Sequence, residues 1–83
     1  DMQVIEMIDR HILIRKLRGD LIDLKTSYPK HTYKIKRGKA WAEYCKNYQE
    51  YEADYQRVMN HNTPIWSNII TLEREQRNTI KDL

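Results

Sequence analysis

Phenylalanine is absent from these 83 residues, cysteine occurs once, and glycine and proline occur twice each. A lone Cys45 excludes an internal disulfide, and no Cys/His set stands at zinc-ligand spacing, so no metal or cofactor is expected. Gly19 and Gly38 stand alone, without the clustered glycines of a phosphate-binding loop. The longest unbroken aliphatic run, Ile12-Leu13-Ile14, falls far short of the roughly 20 residues that span a bilayer. A free thiol without disulfides fits a reducing compartment, so an intracellular protein is expected, nucleus and cytoplasm being indistinguishable. Cys45 has no histidine at helical spacing, and the carboxylates alternate with bases, as in Glu73-Arg74-Glu75. Nothing here forms a nucleophile-and-base pair. The chain is not expected to be an enzyme.

What remains is helix-forming: Leu, Ile, Glu, Lys, Arg and Gln dominate, and six tyrosines with two tryptophans carry the aromatic mass. One third of the residues are charged, so a core must be built from narrow apolar stripes. The net charge of +3 is unevenly spread. Residues 1–28 balance five bases against five acids, and residues 40–83 carry five bases and seven acids. The surplus comes from Lys30, Lys34, Lys36, Arg37 and Lys39.

Three stretches show helical periodicity, predicting helices at about 2–25, 38–59 and 63–83. In the second, Trp41, Tyr44, Tyr48, Tyr51, Tyr55 and Val58 alternate intervals of three and four, the spacing of a heptad seam. Asn60-His61-Asn62 reads as a turn, with Thr63 as N-cap and Pro64 as the first helical residue of the third. Ile65, Ile69, Leu72, Gln76, Ile80 and Leu83 then share a face. No glycine or proline closes the pattern at Leu83, as expected of a fragment whose helix continues. The first helix changes face midway, from Val4, Ile5, Ile8 and Ile12 to Leu13, Ile14, Leu17, Leu21 and Leu24. It must either bend near residues 9–13 or meet neighbours on two sides. The expected fold is all-α: a three-helix bundle or helical hairpin with coiled-coil-like heptad seams, forming a single interaction module.

Two surfaces are candidates for function. The first is apolar and aromatic: Val4, Ile5, Ile8 and Ile12 on the first helix, Tyr48, Tyr51 and Tyr55 on the second, and Trp66 on the third. Tyrosine and tryptophan are enriched at interface hot spots. This surface fits an adaptor, scaffold or docking role, binding another protein or a second copy of the chain. No small-molecule substrate and no membrane partner is expected. The second surface is the basic stretch, where Lys30, Tyr33, Lys34, Lys36, Arg37 and Lys39 can meet an acidic partner or nucleic acid. The arrangement Tyr28-Pro29 … Gly38-Lys39-Ala40-Trp41 … Tyr51-Glu52 resembles the middle of an HMG box over less than half of the chain. That resemblance implies DNA binding. The basic N-terminal strand of that family is missing and the interval from Pro29 to Trp41 is short, so DNA binding ranks second.

Five cations can neutralise at most five phosphates. Binding to duplex DNA is therefore expected to be weak and nonspecific, with a log–log salt slope of magnitude about 4.5 at most. Fluorescence anisotropy across a salt series checks this. Tight, sequence-selective binding that survives moderate salt would reverse the ranking.

Overall fold

The computed structural model describes residues 1–30 and 38–83. Among them are two helices and no strand: α1, Met2–Gly19, and α2, Gly38–Asp82. The secondary structure of the described residues is all-helical, as the composition predicts, and a helical hairpin fits it. It divides into two compact units, Asp1–Ile22 with His61–Leu83, and Asp23–Asn60.

Asp1 caps α1, its carboxylate accepting from the Gln3 amide at 3.1 Å. Lys16 and Arg18 lie in the last turn, where cations complement the exposed carbonyls. The helix runs unbroken through residues 9–13 to Gly19. It then stops six residues before the predicted Lys25. Leu17, Leu21 and Leu24 keep helical spacing, yet helix propensity is a weak preference that tertiary bonds override. Those bonds come from α2. The Asn62 amide accepts from the Ile22 N–H at 2.9 Å and donates to the Ile22 carbonyl at 2.8 Å. His61 Nε2 lies 2.8 Å from the Asp20 carbonyl oxygen. An asparagine side chain thus supplies the pairing that a further helical turn would have given Ile22.

In the first unit α1 lies antiparallel to the C-terminal part of α2. Ile14 and Ile69 are the buried apolar side chains among the described residues, Ile69 completely. Leu17, Ile65 and Leu72 are half-buried around them. Toward the N-terminus of α1 the contact turns polar. Arg10 donates to Gln76 at 2.8 Å and Thr79 at 3.0 Å, and Gln76 donates to the Met7 carbonyl at 2.8 Å. The inner face of α2 therefore runs Ile65, Ile69, Leu72, Gln76, Thr79. Ile80 and Leu83, expected on it, are exposed.

In the second unit residues 23–28 lie against α2 without helical structure. Gly38 opens α2 at φ 81°, in the left-handed region, where an added side chain would be strained.

The predicted break at 60–63 does not occur. Asn60, His61 and Asn62 are helical, and Thr63 and Pro64 are interior rather than N-cap and first residue. Proline suits either place by sequence, but inside a helix it lacks the N–H that would bond residue 60 and its ring crowds that carbonyl. An interior proline costs about 3 kcal/mol relative to alanine. Pro64→Ala is therefore expected to stabilise the protein by about 1–3 kcal/mol in urea unfolding. A neutral or destabilising result would show that Pro64 opens a helix.

Candidate interaction surfaces

Val4, Ile5, Ile8 and Ile12 are 44, 53, 54 and 60% exposed. At about 100° per residue they occupy an arc of about 100° centred some 130° around α1 from Ile14. The structure thus brings all four together on the side of α1 turned from its partner helix, where nothing among the described residues covers them. Asp1 and Asp9 flank the acidic end of this stripe, and Arg15 and Lys16 the basic end. Trp66, in the same unit, is also exposed, but Arg18 places its guanidinium carbon 5.7 Å from the ring centroid. The indole is already engaged in a cation–π contact. Arg18 also pairs with Glu73, which ties the C-terminal end of α1 to α2.

In the second unit the tyrosines of α2 form a ladder joined by Tyr28. Trp41 stacks on Tyr44 at 5.5 Å, and the Tyr44 and Tyr48 centroids are 6.2 Å apart. Tyr28 meets Tyr48 and Tyr51 edge-on at 6.0 and 5.2 Å, and Tyr51 lies 6.2 Å from Tyr55. Edge-to-face aromatic pairs add about 0.5–1.5 kcal/mol each beyond the area they cover. Tyr48 and Tyr51 are half-buried by these contacts, whereas Tyr55 is exposed. Of the three tyrosines expected at a partner surface, two are thus shared with the chain's own packing. Burial raises the Tyr44 phenol above its ordinary pKa, and the nearby Glu52 charge does the same to Tyr48.

Asp54, off the aromatic face in sequence, is the polar anchor of this unit. One carboxylate oxygen accepts from the Lys25 and Thr26 amides at 2.7 and 2.9 Å and from the Thr26 hydroxyl at 3.1 Å. The other accepts from Arg57 at 2.6 and 3.0 Å. Arg57 also donates to the Asp23 carbonyl at 3.3 Å. Sequence periodicity missed Asp54, Asn62 and Tyr28 alike. No short-range signal identifies an interior acid or amide as the clamp on a segment 28 to 40 residues away.

Of the basic stretch, Lys30 and Lys39 are exposed, and Tyr33, Lys34, Lys36 and Arg37 lie outside the described residues. Among the described residues no group of three or more His, Cys, Asp or Glu side chains is placed to hold a metal ion. No helix there is long and apolar enough to cross a membrane. No protein family model matches this chain, and no curated protein or solved structure matches it.

The Arg57 guanidinium, with the Thr26 and Lys25 donors, holds the Asp54 carboxyl well below the usual carboxylate range despite its partial burial. A carboxyl with a depressed pKa stabilises the fold above its unfolded value, near 3.9, and loses that contribution as pH falls. Asp54→Asn is expected to melt below the parent at pH 7, with the gap narrowing progressively from about pH 4 to pH 2. Thermal midpoints of both proteins across that range check it. A gap that stays constant would show that the Asp54 charge contributes nothing.

Proposed function

We propose that this chain is a non-catalytic protein–protein interaction module, an adaptor or docking unit, that engages its partner through the outer face of α1. The exposed Val4, Ile5, Ile8 and Ile12 stripe carries this reading. Single exposed apolar side chains are ordinary, but four contiguous ones on a helix already packed on its other side mark an interaction surface. Each is already about half covered by its own helix. Removing the remainder from water contributes about 3–6 kcal/mol in total, before the costs of association. The partner is another protein or a second copy of this chain.

A finer reading of α2 belongs with this proposal. Within the first unit Asn62, Ile65, Ile69, Leu72 and Gln76 are among its covered positions, at alternating intervals of three and four. We read this as one coiled-coil-like heptad seam in which Asn62 and Gln76 are the polar members. Polar residues at such positions specify register at some expense of stability. Here their amides bond the backbone at Ile22 and Met7, which supports that role.

Replacing Ile5 and Ile8 together with aspartate tests the docking face. Light scattering across a concentration series, with circular dichroism alongside, is expected to show association lost and helicity kept. Where the parent is monomeric, the same pair of variants is compared for capture of the partner. Unfolding of the double variant would make the stripe core and overturn the reading.

A further inference from the structure

A second surface, independent of the α1 stripe, lies wholly within the Asp23–Asn60 unit. Tyr48, Tyr51, Glu52, Tyr55 and Gln56 line a groove of about 460 Å³ along α2. Tyr48, Glu52 and Tyr55 follow one another at intervals of four and three, so the carboxylate stands between two phenol rings on one side of the helix. Glu52, like most of the acids, has no ion pair among the described residues, and its carboxylate interacts with the Tyr48 phenol. Between Lys46 and Arg57 the sequence holds three acids and no base, and one of these acids, Asp54, is already neutralised by Arg57. Among the described residues the groove is thus lined by three tyrosines, one carboxylate and no base.

We propose that this groove binds the side chain of an arginine presented by a partner protein. A guanidinium is planar, stacks on phenol faces and offers paired N–H donors to a carboxylate. Tyr48 and Tyr55 supply the faces and Glu52 the acceptor. The volume accommodates the methylene stem along with the head group. An anionic ligand is disfavoured by Glu52, and a neutral apolar side chain would cover the Glu52 carboxylate without offering it a cation.

The test is a titration of the full chain with N-acetyl-arginine amide at constant ionic strength, followed by NMR. The neutral isostere N-acetyl-citrulline amide is the control. Arginine is expected to shift Tyr48, Glu52 and Tyr55 resonances saturably, with a dissociation constant on the order of millimolar, the range one side chain reaches. Citrulline is expected to bind at least about 5-fold more weakly. Glu52→Gln, at an exposed position, is expected to keep the helical spectrum and weaken arginine binding about 5- to 10-fold. Equal responses to arginine and citrulline, an unaffected Glu52→Gln, or no saturable shift would each overturn the proposal. So would a concentration-dependent shift of the same resonances without any probe, which would assign the groove to a second copy. None of these outcomes bears on the α1 stripe, whose role is read from the Ile5 and Ile8 variants.

Discussion

The paired hydrogen bonds between the Asn62 side chain and the Ile22 backbone are the constraint on which the first unit depends. A segment that leaves a helix and lies against another element must find partners for its N–H and C=O groups, since covered backbone groups without partners are costly. Asn62, only 9% exposed, answers both groups of one residue with the two ends of one amide. His61 meets the Asp20 carbonyl one turn end earlier. With these bonds made, α1 can end at Gly19 and the chain can continue without helical structure. In the second unit Asp54 does the corresponding work for Lys25 and Thr26, and Tyr28 adds ring contacts to Tyr48 and Tyr51.

This division of labour explains why so small an apolar core suffices. Ile14 and Ile69 are the buried apolar residues among those described, and much of the remaining contact is polar and specific in register. Arg10 can bond Gln76 and Thr79 only when α1 sits at one height along α2. Such contacts add modestly to stability, about 0.5–1.5 kcal/mol per hydrogen bond, but they discriminate strongly against a slipped pairing. They also turn the Ile14 and Leu17 face of α1 toward α2. The Ile5 and Ile8 side is left open as a consequence, and the proposed docking face follows from register.

Helical class, the extent of the tyrosine face and the exposed α1 stripe were legible in periodicity, because each depends on spacing along one helix. Two features were not. Residues 20–25 carry Leu21 and Leu24 at helical spacing, and only the distant Asn62 and Asp54 draw them out of helix. Asn60-His61-Asn62-Thr63-Pro64 has every local mark of a turn and helix start, and yet is helical. The signal that distinguishes the two lay in the longer register: Val58, Asn62 and Ile65 continue the four-and-three alternation across the supposed break. The groove around Glu52 was half legible. Its tyrosines were visible in the heptad spacing, but that Glu52 forms no ion pair among the described residues emerges only once their arginines are placed.

Amide hydrogen exchange of Ile22, Lys25 and Thr26 tests the central claim most directly. None of the three lies in a helix, so local structure alone gives them no protection. If the side chains of α2 clamp them, their amides exchange at least about 10- to 100-fold more slowly than free peptide, in step with the neighbouring helical residues. Exchange at the free-peptide rate at all three would contradict the account.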